Sequence, residues 1–324
     1  MGFAINSLEH PCAAEVVGLD CGQPLAEDVF QTVNQAYHDH PVLVFRNQTL
    51  SAPQLAAFGR QFGALETYGV PSTAAGKKAA NSQTAALRET NVRETPDQFL
   101  YQSPDDPDVL IMTNEVRDEF AKVGIVDNAE AWHSDGSHKP EPYSAIIVHV
   151  VRNPSSGGGD TEFCDLRMVY NALPPNLRVT LNGRSALHHW SKSLNPRFSG
   201  VLDDASRVEG ERIAEMIPPI RQPLVRTHPE TGRPHLYLSP RFTLSIEDMP
   251  QEISDMFLNE LFAFMDDPVF RYRHEWREQD LMIWDNRCLN HRVRAYDAHD
   301  IRTRHRVTVS GYRPYYRGSD APVG

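Results

Sequence analysis

A histidine and an aspartate stand two positions apart, at 133 and 135, in the stretch "AWHSDGSH" over residues 131–138. On an extended segment, residues i and i+2 project to the same side, so the pair can aim an imidazole nitrogen and a carboxylate oxygen at one metal ion. Taken alone, the same residues also suit a solvated polar bend. A facial triad on Fe(II) needs a second histidine and leaves three coordination positions open. His291, in "IWDNRCLNHRV", is the best second histidine, because it follows a strand-like, tryptophan-bearing run and so sits near a strand end. The rivals are weaker. His188 and His189 are adjacent, so at most one could face a given ion. His228 in "THPETGR" heads a turn, and His149 reads as a packed core histidine inside an apolar strand. His138 lacks a partner pattern and reads as a surface residue or a supporting one.

Eleven residues after His291 stands Arg302, in "IRTRHRVTV". A cosubstrate with two carboxylates, such as 2-oxoglutarate, would chelate iron through its keto-acid end and need a fixed cation for the far carboxylate. Arginine suits that task because its planar fork binds carboxylate bidentately. A nearby hydroxyl would help, and Thr161 in "GGGDT" is well placed by order. Arg302, Arg304 and Arg306 alternate, so a regular strand would put all three on one face. The competing reading is a solvated basic edge strand.

These residues need a frame to hold them. The 324 residues are long enough for a substantial core, and 40% hydrophobic with 23% charged is an ordinary globular composition. A net charge of −11 argues against wrapping nucleic acid or lying on an anionic membrane. The four cysteines form no CxxC pair, which disfavours a structural zinc site or a disulfide framework and fits a reducing cytoplasm. No signal peptide and no apolar run of spanning length is expected. Val29, Val33 and Tyr37 mark a helix over 27–38. "PVLVFR" at 41–46 reads as a buried strand. Ser51 and Gln54 form a capping box for a helix whose apolar face is Leu55, Phe58 and Phe62. Residues 66–108 lack steady periodicity and read as a long loop or lid. From 109 onward come short strands: "VLIMTN", "SAIIVHVVR", "DTEFCD", "HLYLSP", "DLMIWDN" and "HRVTVSGY". Helices interrupt at 166–182 and 250–265, the second with Ile253, Met256, Phe257, Leu261 and Phe264 on one face. The pattern predicts one mainly β domain over 1–324, a sandwich or barrel with flanking helices. No dinucleotide or P-loop signature is present.

The elements "WHSD", "GGDT", "THPETGR..LY", "DLMIWDNRCLNHR" and "RHRVTVSG", in this order and spacing, resemble the Fe(II)- and 2-oxoglutarate-dependent dioxygenases of the taurine dioxygenase/2,4-dichlorophenoxyacetate dioxygenase family. The resemblance implies a double-stranded β-helix, or jelly roll, with dimers and tetramers common. It implies that His133, Asp135 and His291 hold Fe(II), and that Arg302 and Thr161 bind the far carboxylate of 2-oxoglutarate. Arg306 matches the position that meets an anionic group on the substrate. O2 is the other cosubstrate, and the products are succinate, CO2 and a hydroxylated small molecule. Hydroxylation beside a heteroatom can then break a C–S or C–O bond. Tyr68 aligns best with the family's sulfonate-contacting histidine, which makes taurine itself a poor substrate. Asn114 and Trp132 complete the expected pocket, with Trp132 also read as a packing residue. The carboxylate of Asp135 favours hydroxylation over halogenation. A zinc hydrolase would also use two histidines and a carboxylate. It has no need of Arg302 and Thr161, and a jelly-roll binding protein without catalysis has no need of intact ligands.

Overall fold

The computed structural model describes residues 2–67, 98–115, 121–126, 131–191, 215, 218–297 and 299–318. The strands in chain order are β1 (Ala4–Ser7), β2 (Ala13–Val17), β3 (Val42–Phe45), β4 (Gln98–Gln102), β5 (Leu110–Thr113), β6 (Ala121–Val126), β7 (Ala145–Arg152), β8 (Thr161–Asp165) and β9 (Ser185–His188). They continue with β10 (Ile220–Pro223), β11 (Val225–Thr227), β12 (Pro234–Leu236), β13 (Thr243–Ile246), β14 (Arg271–His274), β15 (Leu281–Asp285), β16 (Leu289–Val293) and β17 (Thr303–Val309). The helices are α1 (Glu27–Asp39), α2 (Ala52–Arg60), α3 (Leu166–Ala172), α4 (Pro175–Leu181) and α5 (Gln251–Met265). The main sheet runs β1-β2-β3-β15-β7-β17-β5-β4-β6, and the sheet β14-β8-β16 faces it. Pairing is antiparallel except between β2 and β3.

The apolar runs of β3, β7 and β15 are continuous because both faces of the main sheet are covered. Val42, Val44, Ile146, Val148, Met282 and Trp284 point inward and pack with Phe163, Trp276 and Leu289 from the facing side. Leu43, Phe45, Ile147, Leu281 and Ile283 point the other way, against Val33 and Tyr37 of α1 and Leu55 and Phe58 of α2. The period of two thus divides one run between two cores. The capping box of α2 is present, with Ser51 accepting from Gln54 N and Gln54 accepting from Ser51 N at 2.9 Å.

Four expectations are corrected. The 66–108 segment is not all loop, since Gln98–Gln102 is a strand between β5 and β6. The helix over 166–182 is two helices, broken at Leu173–Pro174 because a residue before proline is pushed out of helical backbone and proline has no N–H to donate. The buried face of α5 is Ser254, Leu258, Leu261 and Met265, while Ile253, Met256 and Phe264 are exposed. The arginine-bearing β17 is no edge strand, because it lies between β7 and β5, and its register slips between Thr303 and Arg304. Among the described residues no helix is long and apolar enough to cross a membrane.

Acid should weaken this core. Burial holds His149, His235 and His274 below the usual imidazole value. His149 Nδ1 and His235 Nε2 are buried without a hydrogen-bond partner, so an added proton would have nowhere favourable to sit. Below about pH 6.5 the unfolded chain takes up protons that the folded chain refuses. Stability is therefore lost as pH falls, at up to about 1.4 kcal/mol per pH unit for each such histidine. Urea unfolding of the metal-free chain should show a midpoint at pH 5.5 well below that at pH 7.5. A flat profile between them would contradict the burial of these imidazoles.

Candidate metal centre

Two backbone hydrogen bonds set His133 opposite His291. His133 N donates to His291 O at 3.0 Å, and His291 N donates to His133 O at 2.8 Å. The loop histidine is thereby stapled to β16, and the two ring centroids lie 4.2 Å apart. Asp135 follows at the start of a turn. His133 Nε2 is 3.4 Å from Asp135 Oδ1, and His291 Nε2 is 4.0 Å from Asp135 Oδ2. One ligand atom from each of the three lies within 4.8 Å of the others. Two imidazole nitrogens and one carboxylate oxygen on one side suit Fe(II) with open positions.

The electrostatics prepare these atoms to act as ligands. His133 Nδ1 lies 2.8 Å from Ala131 O, which can only accept, so the proton is on Nδ1 and the Nε2 lone pair faces Asp135. Burial, aided by nearby His133, pushes the His291 imidazole down to about 3 and keeps it neutral. Burial opposes ionisation of Asp135, but the Arg306 guanidinium outweighs it and holds the carboxyl well below its usual range. Arg306 Nη2 donates to Asp135 Oδ2 at 2.7 Å. Trp284 and Phe163 wall the His291 ring at 5.1 and 6.4 Å, and Phe242 stands 6.1 Å from His133.

Thr161 and Arg302 are both buried. In the β8–β16 register His291 pairs with Phe163 and Val293 with Thr161, so Thr161 shares the face of His291, two residues along the strand. Trp276 Nε1 donates to Thr161 Oγ1 at 3.0 Å, which leaves the threonine proton to donate elsewhere. Arg302 is 4% exposed and its Nε has no hydrogen-bond partner. Among the described residues no carboxylate pairs with Arg302, and its guanidinium lies over the Tyr296 ring at 5.6 Å. Gly158 and Gly159 make this approach possible. Both have positive φ, and a Cβ on Gly159 would sit 3.3 Å from Arg302 Nε. A buried guanidinium lacking a counter-ion is costly unless an anion completes it, and one carboxylate of 2-oxoglutarate fits that need. Arg304 lies over Trp276 at 5.3 Å and donates to Arg152 O, so its charge is held by neutral acceptors.

The expected pocket residues divide. Arg306 is at the metal-capable group. Trp132 is 4% exposed, donates to Asp266 Oδ1 at 3.0 Å and lies under Arg292, so it packs a third apolar cluster, with Leu166, Leu236 and Leu261. Asn114 uses both ends of its amide on backbone, accepting from Arg302 N at 2.9 Å and donating to Asp300 O at 2.7 Å. It braces the segment that carries Arg302. Tyr68 lies outside the described residues. His138 is half-buried against Phe242 at 4.8 Å, as a supporting residue would be. His149 is the core histidine expected, bonded to Gln48 O at 2.9 Å.

His228, Asp285 and Cys288 also come within metal-binding reach of one another. The histidine and the carboxylate are already engaged, however. Arg287 forks onto Asp285 at 2.8 and 2.7 Å, and His228 Nε2 donates to Asp285 Oδ2 at 2.9 Å. Burial, followed by Asp285, raises the Cys288 thiol well above its usual value. This trio is an ion-paired support beneath the β15–β16 turn. The residues missed from sequence are Trp276, which fixes the Thr161 hydroxyl, and Asn286. Asn286 stands inside the "WDNR" stretch, but its side-chain partners are 143 and 151 positions away, so no local pattern could assign them.

Comparison with known proteins shows the family to which the chain belongs. The description "Taurine catabolism dioxygenase TauD, TfdA family" matches residues 4–308. The alpha-ketoglutarate-dependent 2,4-dichlorophenoxyacetate dioxygenase of Cupriavidus pinatubonensis is 35% identical over 312 residues, covering 95% of this chain and 98% of its own. The pentalenolactone F synthase of Streptomyces avermitilis is 29% identical over 309 residues, covering 91% and 90%. Among solved structures, AAD-2 in complex with Mn(II) and N-oxalylglycine superposes with a TM-score of 0.70 at 27% identity, covering 97% of this chain and 99% of its own. The fold is the double-stranded β-helix of such enzymes. The chain belongs to the TauD/TfdA family and is a 2-oxoglutarate-dependent dioxygenase that uses Fe(II), 2-oxoglutarate and O2.

Proposed function

We propose that this enzyme, acting as one catalytic domain, hydroxylates a small carboxylate-bearing substrate of the aryloxyalkanoic acid class. His133, Asp135 and His291 would hold Fe(II), and Thr161 and Arg302 would receive the far carboxylate of 2-oxoglutarate. Bound iron supplies the redox chemistry that couples oxidation of 2-oxoglutarate to succinate and CO2 with insertion of one oxygen atom into a substrate C–H bond. Arg302 and the Thr161 hydroxyl would orient the cosubstrate by donating hydrogen bonds to its far carboxylate. Phe163, Trp284 and Phe242 exclude water around the reacting atoms. Hydroxylation of the carbon beside an ether oxygen gives a hemiacetal, which collapses to a phenol and an aldehyde acid. The four free cysteines, all buried, support a reducing cytoplasmic setting.

The observation that carries the substrate reading is Arg306. Its guanidinium stands 2.7 Å from Asp135, on the strand that also leads from Arg302. A cation at that distance from the metal-capable carboxylate suits a substrate anion. The 2,4-dichlorophenoxyacetate dioxygenase at 35% identity supports the aryloxy class. The test is succinate formation stimulated by phenoxyacetate, compared with uncharged phenoxyethanol. Arg306→Ala should raise KM for the acid by roughly 10- to 150-fold, the worth of about 1.5–3 kcal/mol for a charge-assisted hydrogen bond. Equal stimulation by acid and alcohol, or an unchanged KM in the variant, would contradict this substrate class.

A further inference from the structure

The metal-capable carboxylate is carried by a turn, not by a strand, so something must hold that turn against the strand bearing His291. We propose that Asn286 is the positioning residue that fixes Asp135 for metal binding, an inference that rests on His133, Asp135 and His291 as the metal site. Asn286 follows β15 and is 0% exposed. Its Oδ1 accepts from Asp135 N at 2.9 Å, and its Nδ2 donates to Asp135 O at 2.9 Å. The one amide therefore grips both backbone polar groups of the aspartate. Nδ2 also donates to Tyr143 O at 3.0 Å. The backbone completes the clamp. Asn286 O accepts from Ser134 Oγ at 2.6 Å, and Asn286 N donates to Ser144 O at 3.0 Å. Five hydrogen bonds from one residue thus tie both ends of the 134–144 segment to the strand turn that leads to His291.

The chemistry of the amide matters. Aspartate at 286 could accept from Asp135 N but would turn a second oxygen toward two carbonyls, and a shorter side chain would reach neither group. The clamp sets where the Asp135 carboxylate starts, while Arg306 and His133 set where it ends. A carboxylate positioned beforehand binds metal without first ordering its own loop. Partners of this kind outside the ligand set typically change metal affinity by about 10- to 100-fold.

Gln222 provides an internal comparison. It is 1% exposed and donates to Ser137 O at 3.1 Å and to Lys139 O at 2.8 Å, so it braces the same segment beyond Asp135 without touching that residue. Mn(II) titration of the full chain, read by the electron paramagnetic resonance signal of unbound Mn(II), separates the roles. Asn286→Ala should weaken Mn(II) binding by about 10- to 100-fold, whereas Gln222→Ala should lower unfolding stability yet bind within about threefold of the parent. Ser134→Ala, which removes a single bond of the clamp, should weaken binding by a smaller factor and serves where Asn286→Ala does not fold. If Asn286→Ala folds and binds Mn(II) like the parent, or Gln222→Ala weakens binding as much, the proposal is overturned. Ser134→Ala binding like the parent when Asn286→Ala does not fold overturns it as well. Failure of the parent chain to bind Mn(II) overturns the metal-site reading, and this proposal with it.

Discussion

Replacing Asp135 with alanine should abolish turnover, lowering kcat by at least about 10³-fold, the equivalent of about 4 kcal/mol. Among the described residues, Asp135 is the one carboxylate within reach of both His133 Nε2 and His291 Nε2. Without it, two neutral imidazoles would have to hold a divalent cation beside the Arg306 guanidinium. That guanidinium now ends 2.7 Å from Asp135 Oδ2, and the substitution would leave it facing the metal position with no negative charge between them. Metal affinity and activity should therefore fall together. Stopped succinate production accompanied by loss of Mn(II) uptake is the expected pair of results. Turnover within tenfold of the parent would exclude Asp135 as a ligand.

The second large effect separates cosubstrate from metal. Arg302→Met should weaken 2-oxoglutarate binding by about 10²- to 10³-fold, since a bidentate, charge-assisted pair in a dry site is worth roughly 3–4 kcal/mol. Mn(II) binding should change little, because Arg302 contacts none of the three metal-ligand candidates through a hydrogen bond. The same substitution should stabilise the ligand-free chain. Burial already lowers the Arg302 pKa, and among the described residues no carboxylate partner offsets the loss of hydration. Replacing an uncompensated buried charge with an apolar side chain of similar length should add about 1–3 kcal/mol by urea unfolding. Weaker cosubstrate binding together with higher stability would mark Arg302 as a residue kept for a ligand. Lower stability with unchanged 2-oxoglutarate affinity would mark it as structural.

The site was more legible in sequence than the frame around it. His133 and Asp135 are local to each other, and His291 could be located because "LMIWDNRCLNH" reads as strand, turn, strand. The side chains that support them act across long separations. Asn286 reaches Asp135 over 151 positions, and Trp276 reaches Thr161 over 115. Hydrophobic periodicity was also blind to the choice of face on α5. That helix is apolar around more than half its circumference, so Ile253, Met256 and Phe264 matched a helical stripe as well as Leu258 and Met265 did. Nonlocal packing marks the buried face, where Leu258, Leu261 and Met265 join Leu166, Val169 and Leu236. The strand Gln98–Gln102 was missed for a different reason, since its five residues follow a long polar stretch that carries no period. Spacing singles out Arg302, but its burial with no counter-ion among the described residues, the strongest physical sign of an anion site, is visible only in three dimensions.

The central claim is that one buried group holds Fe(II) and 2-oxoglutarate together. Anaerobic mixing of the full chain with Fe(II) and 2-oxoglutarate tests it most directly, by the weak visible charge-transfer absorption of iron chelated by a keto acid. The band should form in the parent chain, be absent in His133→Ala, and need a far higher 2-oxoglutarate concentration in Arg302→Met. A folded parent chain that gives no band with both components present, or a His133→Ala variant that gives the same band, would contradict it.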